Sequence, residues 1–263
     1  MAEKVPTVER TAEVQNVEYL TLTGTVRLTF QIIDNLPFHF EPGQCVSFEM
    51  LTALGNQRTH DYAIFSPPGE EQRFMILVRT IPGGDVSAFL GCLTEGDVVD
   101  FRGPSGSSML PHVQGVKNLV ILATGTGVSP IFSLLQHLLP NGFDRRIQLY
   151  WGLRLTDDVC LTDEFDTLAR AYLNFRYQIS LSDPPEEWRG LRGRVTESAP
   201  ALLNNPTESQ YILSGNGAMI NEVRKALQAV GVPDKAIYRE YFFNRNAPAS
   251  SERVAEIAAR IVS

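Results

Sequence analysis

The chain has 263 residues, of which 43% are hydrophobic and 20% are charged, and its formal net charge is −7. This composition is typical of a soluble globular protein, and the acidic balance disfavours general nucleic-acid binding or a broadly cationic membrane surface. No apolar run reaches the ~20 residues of a membrane helix. The charged start "MAEKVPTVER" lacks the apolar core of a signal peptide, so the sequence predicts a cytoplasmic protein.

The residue types that bind metals are scattered along the chain. It has three cysteines, which are widely separated: Cys45, Cys92 and Cys160. A four-cysteine iron–sulfur cluster is therefore excluded within this chain, and a thiolate zinc site is disfavoured. Three histidines also lack metal-like spacing, and we expect them to be structural: His39, His112 and His137. The sequence predicts no metal site.

The first half of the chain is predicted to form short strands. Its segments rich in β-branched and aromatic residues are "EYLTLTGTVRLTFQII", "GQCVSFEM", "YAIFS", "RFMILVRT" and "DVVDFRG". Short strands at such close spacing predict an antiparallel barrel. One helix, "DVSAFLGCL", interrupts them near Asp85, with an apolar face made of Val86, Phe89, Leu90 and Leu93.

The second half alternates strands with helices, which predicts a parallel sheet covered on both faces. The strands are "NLVILAT", "RIQLYWG", "FRYQISL", "QYILSG" and "AIYREYFF", and the helices are "SPIFSLLQHLL", "TDEFDTLARAY" and "GAMINEVRKALQAVG". The predicted pattern changes from short strands to alternating strands and helices within residues 107–117. We therefore predict two domains, a β-barrel over 1–112 and an α/β domain over 113–263, which includes a C-terminal extension.

Two glycines follow the first buried strand of the second half, in "ILATGTGVSP". A strand, a glycine turn and a helix together aim free backbone N–H groups at an anion, and the helix dipole adds about half a positive charge. A pyrophosphate fits this geometry, although a tight strand–helix turn without a ligand accounts for it too. The G-x-G-x-x-G fingerprint is absent, because the third glycine is missing.

Other segments add to this signal. "SGNGAM" is a second glycine turn between a strand and a helix, and parallel strands place both turns at the same edge of the sheet. In the first half, "PGGDVSAFLG" opens a helix whose amides suit another pyrophosphate. Tyr62, in "HDYAIFSPP", offers a flat face for stacking, or is simply a core tyrosine.

In this order, the segments resemble the ferredoxin–NADP reductase superfamily. Those that carry the resemblance are "FEPGQCVSFEM", "HDYAIFSPP", "VRTIPGGDVSAFL", "EGDVVDFRGPSG", "ILATGTGVSP", "YWGLR", "YILSGNGAM" and "YREYFF". The resemblance covers nearly all of residues 10–243. It implies an N-terminal flavin-binding barrel, a C-terminal nicotinamide-dinucleotide domain, and ligands that meet in the cleft between them.

The resemblance also implies roles for individual residues. The groups next to the reacting rings are Ala63, Ser214 and Glu240. The expected flavin contacts are Arg58, His60, Asp61, Tyr62, Ala63, Ile64, Val78, Arg79, Thr80, Gly84, Asp85, Val86 and Ser87. The expected nicotinamide-dinucleotide contacts are Gly125, Thr126, Gly127, Arg154, Ser182, Asp183, Gly215, Asn216 and Met219. Tyr62 is expected to stack on the flavin ring. Phe242 is a further expected cofactor contact, because it corresponds to the aromatic residue that shields a cofactor ring in many members of the family.

The sequence departs from the family pattern at three of these positions. The family's Arg-x-Tyr-Ser is His60-Asp61-Tyr62-Ala63 here, and its cysteine before the second glycine turn is Ser214. A guanidinium is always charged, whereas histidine is mostly neutral at pH 7, so we expect Arg58 or Arg79 to bind phosphate instead. The loss of a serine hydroxyl at Ala63 removes one hydrogen bond near the flavin.

The choice of dinucleotide is predicted from "SLSDPPEEWRG". Relatives that select NADPH carry a basic residue in this turn, whereas here Asp183, Glu186 and Glu187 repel an additional phosphate. Arg154 opposes that repulsion but occurs with either preference. We therefore expect NADH rather than NADPH, and the helix opening at Gly84 favours FAD over FMN.

The electrons are expected to leave for a separate acceptor, a ferredoxin or the iron–sulfur component of an oxygenase. Arg245, Arg253 and Arg260 could form a basic docking patch on the C-terminal segment. Alternatively, that segment is a packed terminal helix, with its apolar face formed by Val254, Ile257 and Ile261. Two rival functions stay open at this point, a free-flavin reductase and a catalytically quiet flavin-binding electron-transfer subunit.

Overall fold

The computed structural model describes residues 9–34, 36–51, 56–80 and 83–262. The chain divides into two compact units. The first unit comprises Met1–Leu110 and Ser129–Asn141, and the second comprises Pro111–Val128 and Gly142–Ser263. None of the helices in the described ranges is long and apolar enough to cross a membrane.

The first unit is built on a six-stranded antiparallel sheet with the order β4-β3-β6-β1-β2-β5. Its strands are β1 (Glu9–Tyr19), β2 (Thr25–Ile32), β3 (Cys45–Leu51), β4 (Gln57–Ala63), β5 (Arg73–Arg79) and β6 (Val98–Ser105). The outermost strands approach each other just beyond β4, where Ile64 forms an isolated antiparallel bridge with Ile76. The predicted antiparallel, barrel-like domain is therefore confirmed.

The first predicted strand was wrong in its extent. The segment "EYLTLTGTVRLTFQII" is a hairpin whose arms are the end of β1 and all of β2, and the register pairs Tyr19 with Val26. Gly24 has a φ of +90°, which a tight turn needs and which a residue with a side chain rarely adopts. The run of Thr, Leu and Val on both sides of the turn concealed it.

A cluster of aromatic rings fills the core of the first unit. Phe30 stacks on Phe74 with ring centroids 5.0 Å apart, and Phe101 lies 4.9 Å from Phe74. Helix α1 (Asp85–Gly91) buries Val86 and Leu90 against this core, whereas Phe89 of the predicted apolar face is partly exposed.

Helix α2 (Ser129–Leu138) belongs to the first unit, although it follows the first strand of the parallel sheet in the sequence. The ring of Phe132 stacks on Phe65 with centroids 4.5 Å apart and planes 2° from parallel. Periodicity alone identified the helix but could not show which core it joins.

The second unit contains a six-stranded parallel sheet with the order β10-β9-β8-β7-β11-β12. Its strands are β7 (Asn118–Thr124), β8 (Arg146–Leu153), β9 (Phe175–Leu181), β10 (Leu191–Arg192), β11 (Ser209–Asn216) and β12 (Ile237–Phe243). Its helices are α3 (Thr162–Ala171), α4 (Val195–Ser198), α5 (Gly217–Ala229) and α6 (Ser251–Val262). The predicted α/β architecture is confirmed, whereas β10 and α4 were not predicted.

Candidate cofactor-binding sites

The first glycine turn lies at the carboxyl end of β7, where Gly125–Val128 forms one turn of 3₁₀ helix before α2 begins. Gly125 has a φ of +54°, and a Cβ built on it would meet no atom within 4 Å. Its carbonyl accepts a hydrogen bond of 2.9 Å from the indole N–H of Trp151. The turn is thus held in place by the Trp151 side chain, and the space at Gly125 is open. A phosphate group needs such a space beside backbone N–H groups.

The second glycine turn lies beside the first, because β11 pairs with β7 and aligns Ser214 with Ala123. The buried Ser214 hydroxyl donates a hydrogen bond of 2.8 Å to the carbonyl of Gly127. A Cβ on Gly127 would lie 2.8 Å from the Cα of Gly215, closer than real Cβ contacts allow. Gly127 therefore allows the two turns to touch, whereas Gly125 leaves room for a ligand.

Asn216 closes the second turn and has a structural task. Its side chain accepts a hydrogen bond of 2.9 Å from the N–H of Ala218 and so caps α5. Its own N–H donates to the Thr124 hydroxyl at 2.9 Å. Met219 is buried in the core of this unit, and Thr126 is half-buried. Asn216 and Met219, which were predicted to contact the dinucleotide, therefore have structural roles as a helix cap and a core residue.

The loop after β9 is tied to the end of β8. The N–H of Ser182 donates to the carbonyl of Leu153 at 3.0 Å, and the N–H of Asp183 donates to the carbonyl of Arg154 at 2.9 Å. Arg154, Ser182 and Asp183 are all exposed. The structure thus brings together Arg154 and Asp183, two of the residues that were predicted to influence the choice between NADH and NADPH.

Glu240 lies on β12 directly beside Ser214 of β11. The hydroxyl of Tyr238 donates a hydrogen bond of 2.9 Å to Oε2 of Glu240, and the His112 ring lies 4.5 Å from the ring of Tyr238. Burial raises the pKa of the Glu240 carboxyl, while the Tyr238 hydroxyl and the Arg245 charge oppose that rise. Phe242, further along the same strand, is half-buried.

Strand β4 carries five of the predicted flavin contacts of the first unit. Arg58, His60 and Asp61 are exposed, while Tyr62 and Ala63 are half-buried. The rings of Tyr62 and Phe48 pack in a T-shaped arrangement with centroids 5.9 Å apart, and burial raises the pKa of the Tyr62 hydroxyl to about 12. Tyr62 is therefore a protonated, partly covered ring, which fits a stacking role.

The start of α1 comes close to β4, because Nε of Arg58 lies 3.9 Å from Oδ2 of Asp85. Gly84 precedes the helix without a capping side chain, and the Ser87 hydroxyl donates back to its carbonyl at 3.4 Å. The Asp85 charge opposes a pyrophosphate here, whereas Arg58 offsets it. This arrangement fits an anion only if the guanidinium takes part.

Several predicted flavin residues have side chains that serve the core. Ile64, Val78 and Val86 are no more than 1% exposed, so only their backbones are available to a ligand. The Thr80 hydroxyl donates to the carbonyl of Gly24 at 3.1 Å and supports the β1–β2 turn. Arg79 is half-buried.

The residues that hold the glycine turns in place were not predicted from the sequence. Trp151 and Thr124 anchor the turns through the hydrogen bonds described above. Both residues lie at the carboxyl ends of predicted parallel strands, and this position could have indicated that they lie near the glycine turns. Their partners are backbone groups, however, and a sequence does not reveal those.

Two family descriptions match the chain, one in each half. "Oxidoreductase FAD-binding domain" matches residues 17–109, and "Oxidoreductase NAD-binding domain" matches residues 121–225. These matches and the two-unit fold define an FAD-dependent NAD(P)H oxidoreductase.

Known proteins match over most of the chain. Ferredoxin–NADP reductase B of Sorangium cellulosum (strain So ce56) is 31% identical over 223 residues, covering 82% of this chain and 90% of that protein. The toluate 1,2-dioxygenase electron transfer component of Pseudomonas putida is 28% identical, covering 88% of this chain and 67% of that protein. The crystal structure of the Amycolatopsis cytochrome P450 reductase GcoB superposes with a TM-score of 0.81 at 25% identity, over 92% of this chain and 73% of that one. The chain belongs to the ferredoxin–NADP reductase superfamily, as its motifs predicted.

Proposed function

We propose that the chain takes electrons from NADH, holds them on FAD and delivers them to a separate small iron–sulfur protein. FAD, when bound, would supply the chemistry of accepting a hydride from reduced nicotinamide and releasing electrons singly, and the protein would supply binding and alignment. The observation that carries the proposal is the pair of touching glycine turns, one of which opens onto free space at Gly125. In this proposal the residues of β4, β5 and α1 bind FAD, and those at the ends of β7, β9, β11 and β12 bind NADH.

The assignment of the acceptor rests on relatives. The Sorangium protein is named for ferredoxin, and the Pseudomonas protein is an electron transfer component of a dioxygenase. The test compares reduction of a [2Fe–2S] ferredoxin with reduction of cytochrome b5 and of free FMN by NADH. We expect the ferredoxin to be the best acceptor by kcat/KM. A preference for free FMN would favour a free-flavin reductase, and a flavin that NADH leaves oxidised would favour an electron-transfer subunit.

The NADH preference rests on Asp183, which is exposed and tied to Arg154. A carboxylate beside the 2′-phosphate of NADPH costs on the order of 1 kcal/mol at such a surface. We expect Asp183→Asn to raise kcat/KM for NADPH about 5-fold while changing that for NADH little. The matched control is Asp144→Asn, an exposed aspartate just before the amino end of β8. Equal effects on both donors, or a wild-type preference for NADPH, would contradict the assignment.

A further inference from the structure

Two buried serines of α2 donate hydrogen bonds to the segment Ala63–Ser66, which begins at the last residue of β4. The Ser129 hydroxyl lies 3.1 Å from the carbonyl oxygen of Ala63, and the Ser133 hydroxyl lies 2.7 Å from the carbonyl oxygen of Ser66. Both serines are almost fully buried, with exposed fractions of 1% and 0%. Serines four residues apart share one face of a helix, so both bonds come from the same side of α2.

The opposite side of this segment is held by β5. The N–H of Phe65 donates to the carbonyl of Met75 at 2.7 Å, and the Ser66 hydroxyl accepts from the N–H of Met75 at 3.1 Å. Strand β5 thus forms hydrogen bonds with the N–H of Phe65 and the hydroxyl of Ser66. Helix α2 donates hydrogen bonds to the carbonyls at the two ends of the segment, those of Ala63 and Ser66. A buried carbonyl without a partner is costly, so these bonds restrict the path of the backbone.

The restricted backbone includes two of the predicted flavin contacts, Ala63 and Ile64, and directly follows a third, Tyr62. Ala63 follows Tyr62, and the Ala63–Ile64 peptide is fixed at both ends, since the N–H of Ile64 donates to the carbonyl of Gln44 at 3.0 Å. The methyl side chain of Ala63 cannot form hydrogen bonds. Ala63 can therefore interact with a flavin through its backbone peptide groups, and the orientation of these groups decides that interaction.

We propose that Ser129 and Ser133 are positioning residues for the flavin, which fix the Ala63–Ser66 backbone so that Tyr62 and Ala63 meet the ring in one geometry. The inference rests on the flavin site proposed above. Neither serine touches the cofactor in this scheme. Each acts through a backbone carbonyl, and Ser129 has the larger effect because its partner belongs to the residue next to Tyr62.

The test measures FAD affinity of the flavin-free full chain by fluorescence quenching, together with the visible spectrum and reduction potential of the bound flavin. We expect Ser129→Ala to weaken FAD binding on the order of 5- to 30-fold and to alter the flavin spectrum or potential, and Ser133→Ala to do so less. In a Tyr62→Ala background, the Ser129→Ala effect should shrink, because both changes act on the same contact.

The matched control is Ser180→Ala in the second unit. Ser180 is also fully buried, and its hydroxyl donates to a carbonyl, that of Gly193, at 2.6 Å. This variant should lose thermal stability without changing FAD affinity, spectrum or potential. The inference is overturned if Ser129→Ala lowers only the melting temperature, as Ser180→Ala does, while wild-type protein binds FAD. A wild-type protein that binds no FAD would instead overturn the proposed function, and the inference with it.

Discussion

At the scale of single residues, the protonation of Glu240 depends on a hydroxyl two positions earlier on the same strand. Burial favours the neutral carboxyl, and the hydrogen bond from Tyr238 favours the carboxylate. The ring of His112 packs against Tyr238, and burial lowers the pKa of that histidine, which keeps it uncharged at neutral pH. The arrangement therefore sets the pH range in which Glu240 carries charge beside Ser214.

Tyr238→Phe tests this arrangement. Burial raises the pKa of Glu240, and the hydrogen bond from Tyr238 lowers it. Without the Tyr238 hydroxyl the pKa of Glu240 therefore rises further, and its ionisation moves to higher pH. The pH dependence of flavin reduction by NADH, measured in single-turnover experiments, should shift upward on its acidic side. Tyr172→Phe, a tyrosine at the end of α3, is the control and should leave the profile unchanged. An unshifted profile for Tyr238→Phe would show that the hydroxyl does not influence Glu240.

At the scale of elements, the two glycines of the turn after β7 have different surroundings. Gly127 lies against the backbone of Ser214 and Gly215, where there is no space for a side chain. Gly125 faces open space, and only its φ of +54° opposes substitution. The same motif thus contains one glycine that the packing of the fold requires and one that faces open space, where the proposed pyrophosphate would lie.

Alanine at each position should reveal that division. Gly127→Ala must displace backbone, so we expect a loss of stability of about 1–3 kcal/mol together with weaker NADH binding. Gly125→Ala should cost only about 1–2 kcal/mol of backbone strain, yet weaken NADH binding at least as much. Urea unfolding and NADH titration of both variants measure the two effects. If Gly125→Ala bound NADH like the wild type, the turn would not be the pyrophosphate site.

The elements that the sequence predicted well are those whose hydrophobic pattern is local. The apolar run of β7 and the amphipathic pattern of α5 are examples, and both glycine turns were found because each interrupts such a pattern. The β1–β2 turn was missed because Thr and Leu continue through it. The assignment of α2 to the first unit could not be predicted, since it rests on contacts with residues distant in the sequence, such as the stacking of Phe132 on Phe65.

At the scale of the whole molecule, the C-terminal helix is an integral part of the second unit. Ile257 and Ile261 of α6 are buried in that unit's core. Arg253 forms ion pairs with Glu197 at 3.0 Å and Glu256 at 3.1 Å, and Arg260 donates to the carbonyl of Glu197 at 3.0 Å. Of the two interpretations of this segment, the contacts favour the packed helix over the basic docking patch.

Ile257→Ala should therefore destabilise the protein by about 2–5 kcal/mol, as expected for a cavity in a packed core. The measurement is urea unfolding, with the exposed Val262→Ala as a control that changes stability little. Arg253→Gln should leave the rate of ferredoxin reduction unchanged. A large drop in that rate without a loss of stability would restore the docking interpretation.

The proposed function requires above all that FAD and NADH bind to the same chain and that a hydride passes from NADH to FAD. The direct measurement is an anaerobic titration of the FAD-loaded protein with NADH, followed through the visible absorbance of the flavin. We predict that this absorbance bleaches fully at about one NADH per FAD, because two electrons reduce one flavin. Bound flavin that stays oxidised with excess NADH and NADPH would contradict the account.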